Sequence, residues 1–257
     1  MTSPALASTG PGGHRVYTWA GRAYPSVTAI LKGGVPAPAL VGWAAKAAAE
    51  YAVANLDRLR LLPARQAVAE VKAAPWAQRD RAADLGTAVH AVMEADAHGR
   101  PRPQLPPQAA PFLAAYDRFC ADQQPDWLVS EATVVSRRYG YAGTLDAIAT
   151  LDAIATLDGR VTLLDVKTGR GVYPEVCLQL AAYAHADFAA GPDGSEQPLP
   201  AIAAGAVLHL RPGGYQLVPV PIGQAVFEAF LAARAVFCWA TELAPTVLPA
   251  PTTGPRR

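Results

Sequence analysis

Lysine and cysteine are both scarce in this chain, and each scarcity narrows what the protein can be. Four lysines, at 32, 46, 72 and 167, stand against eighteen arginines. A lysine found among chemically active groups is therefore less ordinary than usual. The three cysteines, Cys120, Cys177 and Cys238, are far apart and form no CxxC pair. That excludes zinc sites and iron–sulfur clusters built on such pairs, and it fits a reducing cytoplasm. No apolar run approaches the ~20 residues needed to span a bilayer, so no membrane association is expected. The opening "MTSPALASTGPGGHR" lacks the basic and apolar regions of a signal peptide and reads as a disordered leader, residues 1–14. Net charge is only +1. This neither supports nor excludes a nucleic-acid partner, because a basic groove can sit on a neutral protein.

What remains describes a globular chain. Apolar residues make up 51% and charged residues 17%, enough to build a substantial core. One domain is expected over 15–242, helical over about 25–123 and sheet-based over about 126–242. A Pro/Thr-rich disordered tail is expected at 243–257. Ser26 is a plausible N-cap for the helix opening at "VTAIL". Helices are read over "PALVGWAAKAAAEYAVANL", over 62–73, over 75–98 and over "PFLAAYDRFCAD". Period-two alternation and β-branched residues then mark strands in "DWLVSEATVVSRR", "YGYAGTLDAIATLDAIAT" and "RVTLLDVKTG". A helix, "PEVCLQLAAYAHADFAA", two more strands and a closing helix follow. The fold class is α/β (α+β), with a mixed central sheet and a helical N-terminal portion.

The chemistry gathers at "LLDVKTG". Asp165 and Lys167 are two apart on a strand, so their side chains share a face. A carboxylate there can hold a divalent metal through oxygen; a lysine beside it can orient or deprotonate a metal-bound water, or stabilise developing phosphate charge. Asp-x-Lys alone is common and more often a surface ion pair. The other motifs change that balance. "GTAVH" places His90 four residues after Gly86. "GTLD" offers a second carboxylate at Asp146, and its repeat "ATLD" another at Asp152. "QLAAY" puts Gln179 and Tyr183 on one helix face.

Taken in order, G-x-x-x-H, G-x-x-D, D-x-K-T-G and Q-x-x-x-Y resemble the RecB-like branch of the PD-(D/E)XK nucleases. The "YPSVTAIL" lead and the Trp-containing helix after it are similar to phage-type and mitochondrial single-strand exonucleases of that branch. The resemblance spans roughly residues 24–220. It implies an αβββαβ core and metal-dependent phosphodiester cleavage of DNA, single-stranded or frayed, in recombination, repair or replication. It implies one or two Mg²⁺ or Mn²⁺ ions held by the two aspartates, the Val166 carbonyl and His90, with manganese favoured by an imidazole ligand. Lys167 would position the attacking water, and Gln179 and Tyr183 would support Lys167 and the DNA backbone. Glu131 is a weaker candidate for a supporting or water-relay role. Arg137, Arg138, Tyr139 and Tyr141 form a basic, aromatic stretch at a strand turn, suited to phosphates and bases or equally to an ordinary solvated hairpin tip. Some relatives carry four cysteines around an iron–sulfur cluster; this chain lacks them, so no cluster is expected.

The stretch "TLDAIATLDAIATLDG", residues 144–159, repeats six residues and places aspartates at 146, 152 and 158. Six is even, so a continuous strand would keep all three on one face. A turn at Asp158-Gly159 would set Leu157 opposite Arg160 and Asp152 opposite Asp165. The thirteen-residue spacing usual in the resembled family also fits Asp152 (165 − 152 = 13). These arguments favour Asp152. The glycine of G-x-x-D survives only at Gly143, ahead of Asp146, and argues the other way. The duplication also raises an alternative: a catalytically impaired nuclease fold that serves as a DNA-binding or scaffold module.

Overall fold

A computed structural model describes residues 7–151, 159–191 and 193–247, without the side chains of 11 and 78–82. Strands β1 (Ala7–Thr9), β2 (Arg15–Trp19) and β3 (Arg22–Pro25) form a small antiparallel sheet. Residues 7–9 are thus paired strand, not the disordered leader expected over 1–14. Helix α1 (Val27–Gly34) follows, with Ser26 Oγ accepting the Ala29 amide at 3.0 Å as the expected N-cap. Helices α2 (Pro38–Ala54), α3 (Leu56–Leu59), α4 (Ala64–Ala97) and α5 (Ala110–Gln123) complete the helical portion. No single helix among the described residues is long and apolar enough to cross a membrane.

Two expected helices are one. Helix α4 runs for 34 residues straight through Pro75. Proline removes one backbone hydrogen bond and crowds the preceding turn, and this long helix carries that local loss.

Strands β4 (Asp126–Ser136), β5 (Tyr141–Leu151) and β6 (Arg160–Lys167) come next, then α6 (Glu175–Ala184) and the edge strands β7 (Phe188–Ala190) and β8 (Glu196–Gln197). The helix expected to reach Ala190 therefore stops at Ala184, and the chain returns to the sheet. Strands β9 (Ala204–Arg211) and β10 (Gly214–Val220), helix α7 (Gln224–Cys238), a π-helical turn (Trp239–Leu243) and α8 (Ala244–Val247) close the described chain. Residues 244–247 are helical where a disordered tail was expected.

The main sheet has the order β10-β9-β6-β5-β4-β7-β8, antiparallel throughout except for the parallel β6–β9 pair. A mixed sheet flanked by helices is the α/β architecture expected; α6 and the short strands β7 and β8 lie between β6 and its parallel neighbour β9 in the chain. One face, with Leu145, Ile148 and Leu163, packs on α1, α6 and α7. The other, with Ala147, Leu164 and Val166, packs on α4 and α5.

Leu145 and Ala147 therefore belong to opposite cores although they are two apart on β5. A regular strand keeps such residues on one face. The backbone changes face at Asp146. Across from it on β4, Glu131 takes a left-handed conformation, φ +48°, and drops out of the ladder between Ser130↔Ala147 and Ala132↔Leu145.

Register overturns one expectation outright. Leu151 pairs with Arg160, and Ala147 with Leu164. Arg160 thus has Leu151 across from it in place of the predicted Leu157, which lies outside the described residues. Asp152 and Asp158 lie outside the described residues. Counting on from Ala147↔Leu164 brings Asp146 to the Asp165 position. The six extra residues fall in the β5–β6 connection, where added length costs little, ~0.6 kcal/mol per doubling.

Deleting residues 152–157 joins Leu151 to Asp158-Gly159-Arg160 and leaves a favoured two-residue turn in the same register. The variant should fold with its melting temperature unchanged or raised by no more than about 5 °C. A fall of more than about 10 °C in a thermal melt would show that the inserted residues support the fold.

Candidate metal centre

Four elements bring one cluster together. Helix α4 supplies His90, β4 supplies Glu131, β5 supplies Asp146, and the end of β6 supplies Asp165, Val166 and Lys167. His90 Nδ1 lies 2.8 Å from Glu131 Oε1 and 3.7 Å from Asp146 Oδ1, and its Nε2 lies 3.3 Å from the Val166 carbonyl. The Val166 amide donates to Asp146 Oδ2 at 2.7 Å, so a side chain takes a bond that a strand neighbour's carbonyl would otherwise make. Lys167 Nζ sits 2.8 Å from Asp165 Oδ1 and 2.6 Å from Oδ2; only the first contact is aligned as a hydrogen bond. Gln179 Nε2 donates to Asp165 Oδ1 at 2.8 Å.

Two glycines owe their place to this packing. A Cβ at Gly143 would lie 2.6 Å from Tyr183 Cε1, closer than carbon atoms tolerate. A Cβ at Gly86 would press on Thr168 Oγ1 at 3.3 Å. The first contact bears on the register. Sliding β5 by one repeat would bring Ala149 to the position of Gly143 and drive its methyl into the Tyr183 ring. From Thr144 onward the two registers carry the same residues; they differ upstream, where Ala147, Ile148 and Ala149 would replace the buried Tyr141, Ala142 and Gly143, and the Gly143–Tyr183 approach is one of the contacts that separates them.

The electrostatics are those of crowded negative charge. Burial raises the Asp146 carboxyl above its ordinary range, against the lowering effect of His90, Lys167 and the Val166 amide. Asp165, 1% exposed, is pushed up to about 6, first by burial and then by the Asp146 carboxylate, with Lys167 opposing. Burial works against the charged form of His90, yet Asp146 and Glu131 together raise it to about 9. Both its ring nitrogens face acceptors, as a doubly protonated imidazolium requires. Lys167 is likewise raised: burial lowers it, and Asp165 and Asp146 outweigh burial. It stands as an ammonium, a donor and not a base.

A cation suits this donor set. One ligand atom each from His90, Glu131 and Asp146 lie within 4.8 Å of one another, an imidazole nitrogen and two carboxylate oxygens such as Mn²⁺ or Mg²⁺ accepts. Glu131 thus belongs with His90 and Asp146 more closely than its sequence position suggested. Asp165 faces Lys167 and Gln179 instead. The Val166 carbonyl is turned to His90.

A cleft of about 230 Å³ opens over the cluster, lined by Arg15, Tyr17, Ser26, Thr28, Glu131, Gly143, Thr144, Asp146, Gln179 and Tyr183. Tyr17 shares a 2.9 Å hydrogen bond with Thr144 across its wall. Arg15 and Tyr17 carry no sequence signal for this role; only the docking of β2 and β3 on β5 reveals it. Tyr183 is 3% exposed, and burial raises its hydroxyl well above the ordinary range. Arg137, Arg138 and Tyr139 are elsewhere, at the β4–β5 turn, and Tyr141 is fully buried at the start of β5, its hydroxyl donating to the Ala182 carbonyl at 2.8 Å, so it cannot meet a nucleic acid. Arg137 pairs with Glu196 and lies over Phe188, while Arg138 lies over Tyr139, whose edge meets Phe227. The other histidines have structural partners; His209, for example, lies 2.8 Å from the Gly169 carbonyl.

The raised Asp165 fixes a sign. Its folded value lies above the unfolded value of ~3.9, so the metal-free fold is least burdened below about pH 4 and loses stability as pH rises toward 6. His90 contributes stability that is full below ~6.5 and is lost as pH rises through about 9. Mn²⁺ should therefore raise the melting temperature more at pH 7 than at pH 5, as proton competition falls. Asp146→Asn should abolish that rise and Asp152→Asn should leave it. A metal-induced shift that survives Asp146→Asn and disappears with Asp152→Asn would overturn the assignment.

No protein-family model matches the chain, and no curated protein matches it.

Proposed function

We propose that the protein is a divalent-metal-dependent deoxyribonuclease that hydrolyses phosphodiester bonds, with Mg²⁺ or Mn²⁺ as cofactor. The observation that carries this reading is the meeting of His90, Glu131 and Asp146 within 4.8 Å, beside a buried Asp165 joined to a protonated Lys167. The residues fit a bound cation: Asp146 and Asp165 are buried side by side and burial raises both, so a positive ion beside them relieves the crowding. Such an ion neutralises phosphate charge and activates water. His90, Glu131 and Asp146 would hold it, with the Val166 carbonyl and Asp165 adjacent.

The chain's own groups divide the remaining work. Lys167 Nζ, held beside Asp165, donates to the attacking water or to a phosphate oxygen. Gln179 fixes the Asp165 carboxylate through Oδ1 and so fixes Lys167. Tyr183, packed on Gly143, holds β5 at the height that sets Asp146 against Val166. Action on single-stranded or frayed DNA ends, and a place in recombination, repair or replication, follow from the resembled family.

Mn²⁺-dependent release of nucleotides from end-labelled single-stranded DNA tests the reading. Asp146→Asn and Lys167→Met should each lower the rate by roughly 10²-fold or more, the scale of losing one group that stabilises transition-state charge. Covalently closed circles should resist cleavage. Binding without release across Mg²⁺, Mn²⁺ and Co²⁺ would instead identify a scaffold with an inactive nuclease fold.

A further inference from the structure

Two arginines far apart in sequence converge on the β4–β5 turn. A Cβ built on Gly140 would lie 2.8 Å from Arg234 Nη2 and 3.5 Å from Arg22 Nη2. Gly140 has φ +66°, a conformation that favours glycine. Its missing side chain leaves the space into which both guanidinium groups reach. Arg234 is half-buried on α7, and its Nε donates to the Gly140 carbonyl at 3.3 Å. Arg22 lies over the buried ring of Tyr24, 5.2 Å from its centroid. Both heads are therefore held before any ligand arrives.

Neither forms an ion pair among the described residues. The carboxylate at this turn, Asp187, accepts from the Arg137 and Arg138 amides at 2.7 and 3.1 Å. Two like charges held side by side without a carboxylate repel one another, and an anion between them removes that repulsion. Planar guanidinium forks suit phosphate oxygens.

The position relative to the carboxylate cluster gives the pair a use. Gly140, the last turn residue before β5, precedes Asp146 by six residues, about 20 Å at ~3.3 Å per residue. The β2–β3 hairpin spans that interval: Arg15 and Tyr17 line the cleft, and Arg22 stands at the other end, beside the turn.

We propose that Arg22 and Arg234 form a phosphate-binding fork, distinct from the carboxylate cluster, that grips the backbone of a strand several nucleotides from the bond being cut. The choice of nucleic acid as the phosphate source rests on the nuclease reading; the fork itself does not.

The test compares wild type, Arg22→Ala/Arg234→Ala and Arg22→Lys/Arg234→Lys. Binding of fluorescein-labelled oligothymidylates of 3 and 15 nucleotides is followed by anisotropy without metal, across a salt series. For the 15-mer, the double alanine variant should bind roughly tenfold weaker or more, with the salt slope reduced by about 1 to 2. The 3-mer affinity and the Mn²⁺-induced rise in melting temperature should be unchanged, which also shows that the variant folds. The double lysine variant should keep the slope and lose part of the affinity. Equal 15-mer affinity and slope in wild type and the alanine pair would overturn the proposal. Inorganic phosphate separates the two readings. Suppose wild type binds no oligonucleotide. A phosphate-induced rise in melting temperature that the alanine pair abolishes then supports the fork and counts against the nuclease reading. A phosphate effect identical in both proteins, or absent from both, overturns the fork.

Discussion

Everything at the candidate metal centre depends on how β5 lies against β6. The bond from the Val166 amide to Asp146 Oδ2, 2.7 Å long, is the point where that alignment becomes chemistry. It ties the metal-side carboxylate to the strand that carries Asp165 and Lys167. It also marks where regular pairing gives way, since Asp146 sits where β5 changes face and Glu131 opposite adopts φ +48°. A left-handed glutamate costs of order 1 kcal/mol or more. Here it coincides with the place where the sheet presents carboxylates to a helix histidine.

Charge crowding is the second consequence. Four elements deliver three carboxylates, an imidazole and an ammonium into a partly buried space. Without a cation His90 keeps its second proton, and burial raises both aspartates above their ordinary range. The same proximity that disfavours so many anions makes the space suitable for a divalent ion. Lys167 is spared from acting as a base for the same reason: Asp165 and Asp146 keep its proton in place.

Much of this was legible in the sequence because its signals are local. The alternation in 126–167 marked three strands, and the spacing of Asp165 and Lys167 put both on one face. Gly86 and His90 fell on one helix as read. The helix break at Pro75 and the extension of the helix at 175–184 to Ala190 were misread. In both cases a local preference yielded to packing: α4 continues through its proline, and Phe188–Ala190 pairs with β4 and β8. Glu131 was ranked low because a strand pattern gives no sign of a left-handed residue. Arg15, Tyr17, Arg22 and Arg234 carried no sequence signal, since each acts only beside residues about a hundred or more positions away.

The repeat shows the division most clearly. The sequence by itself determined that Asp146 and Asp152 would be equivalent in local pattern, because a six-residue duplication preserves alternation. It also retained Gly143 ahead of one copy only. Which aspartate faces the β6 carboxylate was decided by tertiary structure. The Tyr183 ring from α6 leaves room beneath it for a glycine and none for a methyl, and that contact exists only once the helix has folded back over the sheet.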